Sequence, residues 1–241
     1  MSSTELLDSQ INKVAYLSAV ALFVLTAISM FGVHDAPAGS TIAEKAAWLD
    51  ENIAVFLISW VNQILQVFTL SIVFGAVCWK IYSRNPLAAI LGGAVVMIGA
   101  TSILLTKSTE LWVIPLAAQD LAAGSTGKEA ATMLLSINSQ SYPYSLTTFY
   151  DYQGLWLWSV FGLVVARPLF PLSTSSKVAS ICLGVYGVLY QVFLAFTLTG
   201  SIPQDEITAY STFMLLIWIA AFAMGGYCWG ATKSPPGGEG S

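Results

Sequence analysis

Residues 53–79 read IAVFLISWVNQILQVFTLSIVFGAVCW and contain no charged side chain. A helix needs about 20 consecutive apolar residues to cross the hydrocarbon core of a bilayer, so this stretch is long enough to span one. The whole chain agrees, because 56% of its 241 residues are hydrophobic and only 9% are charged, with a mean hydropathy of +0.73. Soluble domains carry about a quarter charged residues. The sequence therefore predicts that lipid is the main solvent of this chain.

Five other apolar runs resemble this one, which predicts an all-α, polytopic transmembrane helix bundle of about six spans. The six runs lie at residues 14–33, 53–79, 87–106, 146–166, 178–200 and 208–229, and the third can extend to residue 114. The first run is too long for a signal-peptide core, so we expect a retained span. Residues 1–233 are expected to form a single transmembrane domain. Residues 234–241, rich in Pro and Gly, are expected to be a disordered tail.

Charge predicts the orientation of the spans. Basic residues concentrate in the connections 80–86 and 167–177, which by the positive-inside tendency face the cytoplasm. The opposite connections carry the acidic residues Asp35, Glu44, Asp50, Glu51, Asp120, Glu129, Asp205 and Glu206. An even number of spans then places both termini in the cytoplasm. We expect a multi-pass protein of the cell membrane, which is the inner membrane if the source is bacterial.

Two of the outer connections are long enough to hold short amphipathic helices. In the first, Ser40 or Thr41 can cap a helix. Apolar residues recur there at helical spacing, namely Ile42, Ala46 and Leu49. In the second, residues 128–137 follow the break at residues 124–127 and form another amphipathic segment. We expect both helices to lie along the outer membrane surface.

A polar stripe runs along the second span at steps of three or four residues. Its members are Ser59, Asn62, Gln66 and Thr69. Because lipid cannot satisfy a polar side chain, each must face another helix, a cavity or the interface. The stripe favours hydrogen bonds between helices. The alternative is a binding site for a polar ligand, or a translocation route.

Asp151 is the acidic residue that the predicted spans place clearly inside an apolar segment, about one turn into the fourth run. It is either an interfacial carboxylate solvated from outside, or a group that accepts a proton or binds a cation. Lys107 and Glu110 lie three residues apart at the outer end of the third span, which favours a helix-surface ion pair. If Glu110 and Asp151 instead share a cavity, they are the candidate acid and base for chemistry on an apolar substrate.

Tyr186 and Tyr190 share a face of the fifth span. Such aromatic residues pack the bundle or form the interfacial belt. The alternative is a pocket for bound lipid or for a flat hydrophobic pigment or cofactor such as a quinone, carotenoid or isoprenoid. Small residues also predict close helix approach at two faces, Ala88, Gly92 and Gly99, and Ser180, Gly184 and Gly187.

Several functional classes are excluded. The one histidine, His34, lies in a predicted outer loop, which excludes bis-histidine haem ligation within one chain and leaves no predicted metal site. The net charge is -4 and no long basic run is present, so no nucleic-acid partner is expected. No Walker-type phosphate loop, G-x-S-x-G elbow or H-E-x-x-H motif occurs. These absences favour a protein without catalytic activity.

The layout of the chain resembles a known family. Its features are an amphipathic outer segment at residues 36–52, the span end Trp79-Lys80-Ile81-Tyr82, the turn Arg84-Asn85-Pro86 and the stretch Tyr142-Pro143-Tyr144. Together they cover most of residues 10–200 and resemble an uncharacterised bacterial six-helix integral membrane family of unknown function. The resemblance implies six helices, and it assigns no catalytic residue.

Three functional hypotheses follow. The first is a non-catalytic subunit or accessory component of a membrane assembly, whose partners are membrane lipid and other membrane subunits or a second copy of the chain. The second is a transporter or small-molecule binder that uses the polar stripe and Asp151. The third is an intramembrane enzyme acting on a lipid or isoprenoid, with Asp151 and Glu110 as acid and base.

Overall fold

The computed structural model describes residues 2–32, 40–123, 127–138, 145–202 and 212–233. Within these ranges the chain forms seven α-helices and no strand, which confirms the predicted all-α class. The helices are α1 (Ser3–Ser29), α2 (Ile42–Tyr82), α3 (Pro86–Ala122), α4 (Lys128–Asn138), α5 (Leu146–Leu169), α6 (Thr174–Leu198) and α7 (Met214–Lys233). Predictions made for His34, Asp35, Asp205, Glu206, residues 124–126, residues 142–144 and the tail 234–241 lie outside the described residues.

Five of the described helices, α1, α2, α3, α6 and α7, are long and apolar enough to cross a membrane. They indicate a membrane-embedded protein. The helix α5 has 24 residues and begins at Leu146, where the fourth run was predicted to begin. It is not among the five, since Asp151, Gln153 and Arg167 lower its hydropathy.

The helix α2 combines the first predicted surface helix with the second predicted span. Its 41 residues extend about 60 Å at 1.5 Å per residue, roughly twice the hydrocarbon core. The two parts join at Asn52, whose backbone is non-helical (φ −118°, ψ 16°). The Asn52 Nδ2 donates to the Trp48 carbonyl at 2.9 Å. This side-chain bond competes for the carbonyl that normally accepts the backbone N–H four residues later, which explains the kink.

The first turn of α2 is closed by a capping box, in which Thr41 and Glu44 satisfy each other's backbone N–H groups. The Thr41 N–H donates to Glu44 Oε2 at 2.7 Å, and the Glu44 N–H donates to Thr41 Oγ1 at 3.3 Å. Thr41 is therefore the cap, one of the two residues predicted for that role.

The chain divides into two compact units. Unit 1 contains Met1–Val24, Phe68–Ile98 and Trp156–Ser241, and unit 2 contains Leu25–Val67 and Gly99–Leu155. Unit 2 has an apolar core drawn from α2, α3 and α4: Ala46, Leu49, Phe56, Trp60, Ile114, Ala117, Ala118, Ala131 and Leu135. The two amphipathic segments therefore bury one face against α3, which extends to Ala122, well beyond the predicted run. Their placement along the membrane surface stays a prediction.

Aromatic side chains hold the helices of unit 1 together. The Phe74 ring of α2 lies 4.6 Å from the Phe161 ring and 5.6 Å from the Trp158 ring of α5, measured between centroids. Tyr16 of α1 stacks on Trp229 of α7 at 4.5 Å. These contacts bury large apolar surfaces between helices that are far apart in the sequence.

Small residues allow very close contact between the helices of unit 1. A β-carbon added to Gly162 of α5 would lie 2.4 Å from the Leu183 carbonyl oxygen of α6. Ser180 Oγ donates to the Ala166 carbonyl at 2.6 Å. Several of the residues predicted for close approach serve in the same way, namely Gly92 against α5 and Gly184 and Gly187 against α5. These small faces therefore pack within the chain.

Candidate functional site

The candidate site in unit 2 is built around a buried lysine of α3. Lys107 Nζ lies 3.1 Å from Asp151 Oδ2 of α5, and the Lys107 side chain is almost fully buried, whereas Asp151 is partly exposed. The ammonium group also lies 5.0 Å from the ring centroid of the buried Trp60 of α2. The ion pair predicted between Lys107 and Glu110 stays a prediction. The contact with Asp151 joins residues 44 positions apart, which helical spacing cannot indicate.

Glu110 is buried and lies one turn after Lys107 on α3. We call Lys107, Glu110 and Asp151 the charged cluster. Its formal composition is two carboxyl groups and one ammonium group. A charge inside lipid is costly unless it is paired, so the ion pair with Lys107 allows Asp151 to lie within an apolar segment.

Hydroxyl groups connect α3, α4 and α5 near the charged residues in the sequence. Thr106 Oγ1 donates to the Thr147 carbonyl at 2.9 Å, and Thr147 Oγ1 donates to the Asn138 carbonyl at 2.6 Å. Ser145 Oγ lies 2.9 Å from Thr147 Oγ1 and 2.8 Å from Thr148 Oγ1. These residues are all buried. Hydrogen bonds of this kind satisfy the polar groups at the start of α5 and fix its position beside α3.

Two residues of the polar stripe of α2 contact α1. Asn62 Nδ2 donates to the Leu25 carbonyl at 3.0 Å and to Ser29 Oγ at 2.7 Å. Gln66 Nε2 donates to the same two oxygens at 3.3 Å and 2.6 Å. Ser59 is also buried, and Thr69 is partly buried. The two amides thus form the interhelical bonds that the stripe favours, while ligand binding by the stripe stays a prediction.

Tyr186 and Tyr190 of α6 are both fully buried in unit 1. Their ring centroids lie 5.8 Å apart with an angle of 57° between the planes. Near them in the sequence, Gln191 connects α6 to α5, since its Nε2 donates to Ser159 Oγ at 2.7 Å and its Oε1 accepts from Trp156 Nε1 at 3.1 Å. A pigment or lipid pocket at the two tyrosines stays a prediction.

A second ion pair lies in unit 1, and sequence reasoning missed it. Asp8 of α1 accepts hydrogen bonds from Lys80 Nζ and from Trp79 Nε1, the latter at 3.0 Å. Asn12 Nδ2 also donates to Asp8, at 3.2 Å. The pair joins residues 72 positions apart, and the sequence offered only a polar start before the first run and a basic residue after the second. Neither signal indicates a contact.

Among the described residues, no group of three or more His, Cys, Asp or Glu side chains is arranged to hold a metal ion. The five long apolar helices and the buried polar contacts between helices define the class of this chain as a membrane-embedded α-helical protein. No protein-family model, curated protein or solved structure matches the chain.

Proposed function

We propose that the chain is a non-enzymatic component of a cell-membrane assembly, with six spans and both termini in the cytoplasm. The sixth span in this proposal is α5. Its 24 residues exceed the roughly 20 needed to cross the hydrocarbon core. The charge of Asp151 on this helix is compensated by Lys107. We also propose that the chain is related to the uncharacterised six-helix membrane family that its layout resembles.

The distribution of charge supports the orientation. Most basic residues of the chain belong to unit 1, together with both termini: Lys13, Lys80, Arg84, Arg167, Lys177 and Lys233. The described acidic residues of unit 2 are Glu44, Asp50, Glu51, Glu110, Asp120, Glu129 and Asp151. Basic segments near span ends stay on the cytoplasmic side. Unit 1 therefore carries the ends of the spans that we assign to the cytoplasm.

The non-enzymatic role rests on one observation, which is that three of the polar groups predicted for a site, Asn62, Gln66 and Asp151, contact other helices of the same chain. Asn62 and Gln66 donate to α1, and Lys107 is paired with Asp151. Polar bonds between membrane helices stabilise their association. Groups engaged in this way hold a bundle in one shape, which suits a structural or accessory subunit better than a catalyst.

The proposal is tested by purifying the chain from its native membrane in two unrelated mild detergents. Mass spectrometry then identifies and counts the accompanying chains. We expect one other membrane protein, or a second copy of this chain, at a fixed stoichiometry in both preparations. A monomer accompanied only by lipid in both detergents would contradict the proposal. Labelling of single cysteines at Arg84 and Lys177 with an impermeant reagent tests the orientation separately, and labelling from outside intact cells would overturn it.

A second candidate function is proton or cation binding at the charged cluster, which the burial of the ionisable residues Glu110 and Lys107 in apolar helices favours. Ionisable residues inside membranes commonly mark proton or ion pathways. The test is a proton or sodium flux assay in proteoliposomes, comparing the unaltered protein with Glu110→Gln. Flux that exceeds empty vesicles and is lost in the variant would support this candidate. Flux no greater than that of empty vesicles would remove it. The ligand-binding stripe and the acid–base pair of an intramembrane enzyme stay predictions.

A further inference from the structure

Two adjoining cavities in unit 1 differ in character. The first has a volume of about 610 Å³ and lies between α1, α2 and α3. Most of its lining is apolar, including Ile11, Val14, Ile72 and Ala76. The second has a volume of about 700 Å³ and lies at the start of α1 and the ends of α2 and α7. Trp79 and Tyr82 line both cavities, so one elongated molecule could occupy the two together.

The second cavity carries the charges. Glu5, Asp8 and Lys80 line it, which gives two acidic groups and one basic group. Asn12 also lines it and is buried. Its Oδ1 atom is a buried acceptor that receives no hydrogen bond from the described part of the chain. A buried acceptor of this kind calls for a donor. The chemistry of the second cavity therefore fits a head group that contains both an anion and a cationic hydrogen-bond donor.

The first cavity fits an apolar chain. Binding pockets for small molecules have volumes of roughly 300–1,000 Å³, so each cavity is of a suitable size. Tryptophan and tyrosine at the end of a span mark the level of the lipid head groups, and Trp79 is the last residue of the predicted second run. The lining changes from apolar to charged at Trp79 and Tyr82, and we expect these residues to lie where phospholipid acyl chains meet the head groups.

We propose that the two cavities bind one phospholipid with a primary-amine head group, such as phosphatidylethanolamine, from the inner leaflet. An acyl chain occupies the first cavity, the phosphate lies near Lys80, and the ammonium group lies near Glu5, Asp8 and the Asn12 oxygen. The excess of acidic groups disfavours an anionic lipid, because like charges repel. This inference rests on the proposed cytoplasmic orientation of unit 1.

The test offers equal amounts of three dioleoyl phospholipids to the delipidated full chain and counts bound lipid by native mass spectrometry. The lipids carry ethanolamine, choline or glycerol head groups. We expect one tightly bound phosphatidylethanolamine, preferred at least about tenfold over phosphatidylglycerol. We also expect weaker binding of phosphatidylcholine, whose quaternary ammonium group has no proton to donate. Equal binding of all three lipids, or retention of a quinone or another apolar molecule in their place, would overturn the proposal.

Two glycine variants provide a matched pair for the same assay. Gly75 lines the first cavity, and both Gly75 and Gly93 have open space where a β-carbon would lie. Gly75→Leu should fill the first cavity and reduce lipid occupancy about tenfold, while Gly93→Leu should leave occupancy unchanged. Equal occupancy in the two folded variants would contradict the inference. Copurification of a partner chain is measured independently, so failure here leaves the proposed subunit role standing.

Discussion

The two lysine–aspartate pairs of this protein have similar lysines and different aspartates. Lys107 and Lys80 are each 8% exposed, and each lies over an aromatic ring, Trp60 at 5.0 Å and Tyr227 at 5.9 Å. Asp151 is 23% exposed, whereas Asp8 is 43% exposed and borders a large cavity. The same types of residue therefore join two helices in unit 2 and line a cavity in unit 1. The solvent exposure of the aspartate decides how strongly each pair stabilises the protein, since water and salt screen the more exposed Lys80–Asp8 pair.

The largest effect is expected from Lys107→Met. The variant leaves the Asp151 carboxylate without its ammonium partner, and breaking a buried ion pair on one side costs about 3–5 kcal/mol. Denaturation of the purified protein in detergent micelles, followed by tryptophan fluorescence, measures the loss. Lys128→Met on the exposed face of α4 is the control, and it should change the free energy of unfolding by less than about 0.5 kcal/mol. Equal stability of the two variants would show that the Lys107–Asp151 ion pair does not stabilise unit 2.

The second-largest effect is expected where α1 packs against α7, at a contact that does not involve Asp8. A β-carbon added to Gly225 of α7 would lie 2.4 Å from the Ala19 β-carbon of α1, whereas the neighbouring Gly226 has open space. Gly225→Ala should cost about 1–3 kcal/mol through overpacking. Gly226→Ala should be neutral or slightly stabilising. The thermal midpoints of the two variants measure the difference, and a Gly225→Ala protein as stable as Gly226→Ala would mean that α1 and α7 do not pack closely.

A smaller effect is expected at the polar stripe of α2. Asn62→Leu removes the bonds to Leu25 and Ser29, and polar bonds between membrane helices are worth about 0.6–1.7 kcal/mol. Gln63→Leu, one position along the same helix, is the matched control. A double-mutant cycle of Asn62→Leu with Ser29→Ala should give a coupling energy of at least about 0.5 kcal/mol, because the two side chains contact each other directly. Additive effects would show that the stripe does not hold α1.

The smallest effect is expected from Asp8→Asn. The amide oxygen can still accept from Trp79, and partly exposed ion pairs contribute about 0–1 kcal/mol. This difference should shrink when the salt concentration is raised from about 0.05 M to about 0.5 M, because salt screens exposed charges. Thermal midpoints at the two salt concentrations provide the measurement. A loss as large as that of Lys107→Met, or one insensitive to salt, would make the two pairs equivalent.

The approximate positions of the helices could be predicted from the apolar runs, because such runs are local features of the sequence. α5 begins at Leu146 and α4 covers Lys128–Asn138, both close to expectation. The continuation of α2 through Asn52 and of α3 to Ala122 could not be predicted, since kinks and tertiary packing decide whether adjacent segments merge. The partners of Lys107 and Lys80 lie 44 and 72 residues away. Helical periodicity gives the face of a residue and carries no information about such distant contacts.

The most direct test of the account is exchange of the two charges at Lys107 and Asp151. Lys107→Asp and Asp151→Lys should each destabilise the protein strongly, because each variant places two like charges together. The double variant should recover most of the lost stability, since it restores an ion pair between α3 and α5 at the same place. Single variants that unfold like the unaltered protein, or a double variant without any recovery, would contradict the claim that this pair holds the two helices together.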